Sequence, residues 1–248
     1  MWMIIAAALA PVVLLLGYIW YKDIKQPEPL KWILKALWYG VLSTVLVLVV
    51  VAPIPEFEVT GPITAFMKAF LYAAMPEEGA KLLLLWLLLR KNPYFDERLD
   101  GIVYATCVAL GFAGLENILY LMGGMDDGSW LTLGISRGIF AVPGHFFFGT
   151  LMGYFFARAW FGNPANRSKN MFLAWLVPTI AHGIYDGILF TMGTVEEWIA
   201  GVLFILFLVG FGFMRRRSVK AITTLQTEDT NETIMDLPDG NGSGDNQL

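Results

Sequence analysis

The chain has 248 residues, of which 56% are hydrophobic and 15% charged, and its mean hydropathy is +0.59. Soluble domains carry about 45–50% apolar and about 25% charged residues, so a soluble globular protein is excluded and an integral membrane protein follows. The net charge of -4 reflects an acidic C-terminal end and calls for no nucleic-acid partner. The lone Cys107 permits neither an intrachain disulfide nor a thiolate metal site.

Residues 2–21 lack a basic leader, and their apolar run exceeds the short apolar core of a signal peptide. The small-residue stretch from Ala6 to Ala10 comes too early for a cleavage site, so a retained first membrane helix is expected. A spanning helix needs about 20 apolar residues at about 1.5 Å each. That criterion places the remaining spans at 32–52, 63–89, 100–122, 131–157, 171–193 and 197–214. The expected fold class is all-α, a polytopic membrane bundle of about seven helices, because a helix satisfies every backbone group within its own segment. The alternation of a membrane β-barrel is absent.

The loops alternate in charge. Lys22, Lys25, Lys31 and Lys35, then Arg90, Lys91 and Arg98, then Arg158, Arg167 and Lys169, then Arg215, Arg216, Arg217 and Lys220 fall on one side, 14 of the 17 basic residues. The other connections hold Glu56, Glu58, Asp126, Asp127, Glu196 and Glu197, with no Lys or Arg. The positive-inside rule makes the basic side cytoplasmic, with the N-terminus outside and the C-terminus inside, in a multi-pass protein of the plasma membrane. Residues 1–220 are expected to form the transmembrane domain. Residues 221–248, polar and acidic, are expected to be a disordered cytoplasmic tail.

Inside the spans lie Glu77, Glu78, Lys81, Glu116, Arg137, His145, His182 and Asp186, which include both histidines of the chain. A charge at the bilayer centre costs roughly 2.5–3.5 kcal/mol or more, so such groups face one another and carry function. Lys81 follows Glu77 by four residues and Glu78 by three, and pairs with either on one helical face. The two glutamates point about 100° apart, so their roles differ: one activates water or binds metal, the other meets a cation. Arg137 and His145 lie eight apart and share a face, as do His182 and Asp186 at i, i+4. Arg137 and Lys81 balance charge. Counted from the cytoplasmic end of each span, Glu78 lies about 16 Å deep, His182 about 16 Å, His145 about 18 Å, Asp186 about 22 Å and Glu116 about 24 Å. Four helices running alternately up and down thus bring their ionisable residues to one layer. Depth favours Glu78 slightly as the central glutamate. Carboxylate and imidazole suit zinc or a similar divalent ion, with Glu78, Glu116, His145 and His182 as the ligand candidates. Glu77, Glu78, Glu116, Asn117 and Asp186 are the catalytic candidates, Asp186 and Asn117 orienting the centre. The chain has no H-E-x-x-H, no G-x-S-x-G and no paired intramembrane Gly-Asp motifs, which excludes three other protease designs.

Glu77-Glu78-x-x-Lys81, Phe112-x-x-x-Glu116-Asn117, His145 and His182-x-x-x-Asp186 together resemble the ordered motifs of PrsW-type intramembrane proteases. These are relatives of the CAAX prenyl proteases and the bacteriocin-processing proteins. The resemblance covers roughly residues 30–193, and Glu116 stands where the wider superfamily has His, as in the PrsW branch. It implies a metal-dependent membrane endopeptidase whose partner is a single-pass membrane protein in the lipid bilayer, such as an anti-sigma-factor-like regulator. Two other readings are a proton-coupled carrier using a buried Glu/His/Asp relay and a non-catalytic immunity or scaffold protein of the same fold. A carrier would show a repeat, and none is visible in the sequence.

Overall fold

The computed structural model describes residues 1–126 and 128–235, with side chains to residue 232. Helix α1 spans Trp2–Lys22 and α2 spans Leu30–Val51. Helix α3 is one rod over 62–89: α-helical at Pro62–Lys68, π-helical at Ala69–Ala74 and α-helical again at Met75–Leu89. Helix α4 is Arg98–Gly123. Helix α5 is Trp130–Trp160, with a π-helical stretch at Arg137–Ala141. A short 3-10 turn leads into α6, Arg167–Met192, and α7 is Glu197–Met235. Six of these helices are long and apolar enough to cross a membrane. The other, α3, is of comparable length and carries Glu77, Glu78 and Lys81. The all-α polytopic bundle is therefore the fold.

Helix α4 is the central post. Residues 99–114 are buried without exception, as befits a helix that is apolar all round. It lies between α2 and α5, and small residues set both crossings. A Cβ on Gly40 of α2 would come 2.1 Å from the Val108 carbonyl oxygen, and one on Gly111 would come 2.1 Å from that of Leu37. On the other side a Cβ on Gly153 of α5 would come 2.3 Å from the Gly101 oxygen. Close backbone approach replaces the hydrophobic driving force that lipid does not supply between helices. Gly183 and Gly187 of α6 take the rings of Phe70 and Phe66 from α3 in the same way.

The two π-helical stretches end at Ala74 and Ala141, two residues before Pro76 and Pro143. Proline has no N–H and its ring crowds the preceding turn, so a widened turn relieves the helix there. Each wide turn sits just ahead of ionisable residues, Glu77 and Glu78 in one case and His145 in the other.

The C-terminal region differs from expectation. Helix α7 continues unbroken past residue 220 to Met235, and Ala221, Ile222 and Leu225 are buried in the main core. Asp229 accepts from the backbone N–H groups of Arg98 and Leu99 at 3.1 and 2.9 Å, capping the start of α4. Arg98 also pairs with Glu232, and Arg158 with Glu228 at 2.6 Å. Composition alone missed this because the apolar residues are few and lie on one face, with the acidic side chains meeting arginines from elsewhere in the chain. Residues 236–248 of the expected tail lie outside the described residues.

At this same end Asp23 and Glu28 are buried between α1 and α2. The Glu28 N–H donates to Asp23 Oδ2 at 3.1 Å, the Tyr104 hydroxyl donates to Glu28, and Asp23 Oδ1 has no partner among the described residues. Burial raises the Asp23 carboxyl to about 6 and the Glu28 carboxyl to about 7. The folded state thus holds protons that the unfolded chain has lost. The stability they contribute is full below the ordinary carboxylate range and lost as pH rises through 6 to 7. The melting temperature of the detergent-solubilised protein should therefore rise when pH is lowered from about 8 to about 5.5, and Glu28→Gln should flatten the rise. A profile identical in wild type and variant would contradict this.

Candidate metal centre

The wide turn and Pro76 place Glu77 and Glu78 on the face of α3 that meets α4, α5 and α6. Each ionisable residue then finds its partner on another helix. Lys81 Nζ lies 3.2 Å from Glu77 Oε2, 2.8 Å from Glu78 Oε1 and 3.1 Å from His145 Nδ1. It also sits 4.0 Å from the centroid of the Phe112 ring. The i, i+3 and i, i+4 pairing expected from the sequence is present, and His145 is an additional contact.

His182 Nδ1 is 2.9 Å from Glu78 Oε1, and its Nε2 is 3.2 Å from Asp186 Oδ2. The His182 ring stacks on Phe148 at 4.6 Å. His145 repeats the pattern: Nδ1 faces the centre, and Nε2 is 3.0 Å from Glu116 Oε2. Each imidazole thus turns one nitrogen inward and gives the other to a carboxylate further out. This is how metal-binding histidines are held, the outer carboxylate fixing the tautomer and the ring plane.

Glu77, Glu78, His145 and His182 each offer a ligand atom, all within 4.8 Å of one another, and all four are buried. This group is not quite the one expected. Glu116, expected as a ligand, stands outside it, because Arg137 Nη2 holds its Oε2 at 2.5 Å alongside His145. Glu77, one of the two glutamates expected to activate water or bind metal, stands inside it. Depth along the membrane normal cannot separate the two cases, because Glu116 lies at a similar level but is claimed by an arginine. Asn117 does not face the centre: it donates to the Ala8 carbonyl at 3.0 Å and accepts from Arg137 Nε at 2.8 Å. It ties α1 to Arg137, whose guanidinium lies 3.8 Å from the Tyr120 ring centroid. Sequence reasoning gave no role to Phe148 or Tyr120. Phe148 follows His145 by three residues, so the helical period alone would have put it beside the imidazole.

The two glutamates differ in surroundings. Glu78 is 0% exposed, and its buried Oε2 has no partner among the described residues. Glu77 is 7% exposed and lines two cavities, one between α2 and α4 and one between α5, α6 and α7.

A profile of the PrsW family of intramembrane metalloproteases matches residues 28–213. The chain is 32% identical over 227 residues to Protease PrsW of Bacillus subtilis (strain 168), covering 91% of this chain and 100% of that protein. The chain belongs to the PrsW family of intramembrane metalloproteases. Two further PrsW proteases are similar to it. That of Oceanobacillus iheyensis is 36% identical over 75% of this chain and 82% of its own length. That of Clostridioides difficile is 35% identical over 73% and 77%. No solved structure matches. Membership makes the chain a multi-pass membrane peptidase of the metal-dependent class and sets the carrier reading aside.

The PrsW residues present fit a metal on three observations. The donor set is carboxylate oxygen and imidazole nitrogen, which suits zinc-class ions. Glu78 Oε2 is an orphaned buried carboxylate oxygen, which is costly unless something positive meets it. Glu78 Oε1 and His182 Nδ1 stand 2.9 Å apart, and with Nε2–H given to Asp186 both are acceptors that require a cation or a proton between them. Lys81 Nζ, within 3.2 Å of three of the four residues, already places one positive charge there.

Proposed function

We propose that this protein cuts a single-pass membrane protein near the outer face of the plasma membrane, using one zinc-class ion held by Glu78, His145 and His182. The observation that carries the assignment is the inward face of four ligand-bearing residues on three helices, each histidine backed by its own carboxylate. A catalytic zinc keeps three protein ligands and an open position for water, so one of the four is left over. Glu77 is that residue: it alone of the four lines both cavities, and its closest bond is the 3.2 Å contact to Lys81.

When bound, the ion supplies Lewis-acid activation of water and of the scissile carbonyl. Glu77 takes the proton from the attacking water and delivers it to the leaving amine as the C–N bond breaks, so that the water is divided between the two new termini. Asp186 and Glu116 keep the two imidazoles turned inward. Arg137 and Asn117 hold Glu116 in place, and Lys81 offsets the charge of the paired glutamates. Alternating loop charge supports an N-terminus outside and a C-terminus inside, and the acidic loops then mark the outer end. A membrane-anchored, anti-sigma-factor-like regulator is the substrate class that the family resemblance suggests.

The test is cleavage in proteoliposomes holding the purified protein and a single-pass membrane substrate. A membrane-permeant chelator should abolish cleavage, and added zinc should restore it. Cleavage indifferent to chelation would sink the metal assignment. Intact substrate under all conditions would sink the proteolytic one.

A further inference from the structure

The centre opens on two cavities that share a wall. The first, about 770 Å³, runs between α2 and α4 towards the acidic-loop end, with Val47, Leu48 and Val51 on one side and Leu119 on the other. Ile54, Glu56, Gly124 and Ser129 form its mouth. The second, about 380 Å³, is a chamber walled by Phe140, Phe148, Tyr185, Phe204 and Phe207. Glu77, Glu116 and Tyr120 line both. An apolar groove open at the outer end and an aromatic chamber within the bundle thus meet at the glutamate assigned above as base.

The walls are not equally fixed. Helix α2 is held against α4 by the Gly40–Gly111 crossing, where no Cβ could be inserted. Helix α7 is buried most fully at its basic end. Over 197–217 its one buried residue is Phe207, whereas Ser218, Ala221, Ile222, Leu225 and Asp229 are all buried. Asp229 and Glu228 then fasten that end to α4 and Arg158. The half of α7 that covers the aromatic chamber meets the bundle through ring contacts, Phe204, Phe207 and Phe211 against Phe140, Phe147 and Tyr185, with Phe207 alone of these three buried.

We propose that an unwound end of the substrate's membrane helix lies through both cavities, with its membrane-embedded side in the aromatic chamber under α7 and its outward-running side in the α2–α4 groove. This rests on the proteolytic reading above. The scissile bond then lies at Glu77, where the two cavities join. A helical segment would not do, since its carbonyls are bonded within the helix and shielded by side chains. The substrate enters from lipid between α6 and α7, a wall closed by contacts of Tyr185 with the Phe207 and Phe211 rings rather than by the close backbone approach that seals α2 on α4. Bulky apolar side chains on the membrane side suit the aromatic chamber, and aliphatic ones on the outer side suit the groove.

The experiment uses the full-length Glu77→Gln protein in proteoliposomes with a single-pass substrate that the wild type cleaves. A photo-reactive benzoylphenylalanine is placed at Leu48 for the groove, at Phe204 for the chamber, or at the lipid-facing Val13 as control. Cross-links are expected from Leu48 and Phe204, mapped by mass spectrometry to opposite sides of the cleaved bond, with Phe204 reaching the membrane side. Val13 should give none. In a second arm, Phe140→Cys and Phe204→Cys are bridged by a reversible bis-thiosulfonate reagent. Bridging should lower wild-type cleavage at least about tenfold and reductant should restore it, while a monofunctional reagent of similar size should not reproduce the block. Cross-links from neither site, or from both to one side, with wild-type cleavage intact, would overturn the path. Unchanged cleavage by the bridged protein would overturn entry under α7. A wild type that cleaves no membrane substrate at all would overturn the proteolytic reading, and this proposal with it.

Discussion

Glu77→Gln is expected to lower turnover by about 10²–10⁴, the range for a lost general base, with little change in melting temperature or bound metal. Gln keeps the shape and can still accept from Lys81, and Lys81 retains Glu78 at 2.8 Å. Glu78→Gln should behave differently. Glu78 is fully buried and meets Lys81 and His182 together, so the substitution removes one member of a buried charge cluster. Breaking such a pair costs up to about 3–5 kcal/mol. Metal binding should fall with stability, because a neutral amide is a poor ligand for a zinc-class ion. Turnover of both purified variants, measured with melting curves and metal content, separates the roles. Equal loss of metal in both would place both glutamates on the ion, and near-normal cleavage by both would leave the pair as packing.

The largest effect on stability is expected from Gly111→Val. The added Cβ would lie 2.1 Å from the Leu37 carbonyl oxygen and 2.8 Å from its carbon, both backbone atoms that cannot turn aside. Helix α2 must lift off α4. Overpacking a core costs about 1–3 kcal/mol where side chains can shift, and here none is available to shift, so a loss at or above that upper end follows. The variant should be recovered in low yield with a strongly lowered melting temperature. Gly17→Ala is the control, since a Cβ there meets nothing within 4 Å. A Gly111→Val protein that melts with the wild type would mean that the α2–α4 seam does not set the fold.

The amino-acid pattern carried most of the architecture. Hydropathy located every helix of the bundle, because each must bury its own backbone polar groups in lipid. The i, i+4 spacing of His182 and Asp186 and the reach of Lys81 to both glutamates follow from helical geometry, and both are present at 3.2 Å or less. Three features were not legible. Glu116 lies outside the group of four that could hold a metal because Arg137, on another helix, captures it, and nothing local to Glu116 encodes that. Asn117 reaches the Ala8 carbonyl across 109 residues of sequence, a contact set by how α1 lies on α4. The ordered stretch after residue 220 depends on Asp229 and Glu228 finding backbone N–H groups and an arginine elsewhere in the chain, whereas composition described only a polar tail.

The metal content of the purified protein tests the central assignment most directly. Wild type should carry about one divalent ion per chain, as a single catalytic site requires. Glu116→Gln should keep most of that ion, because Glu116 backs His145 from outside the group of four. The double variant His145→Ala/His182→Ala, still folded by its melting curve, should carry essentially none. A stoichiometric ion remaining in the double histidine variant, or a wild type that cleaves its substrate without any metal, would contradict the account.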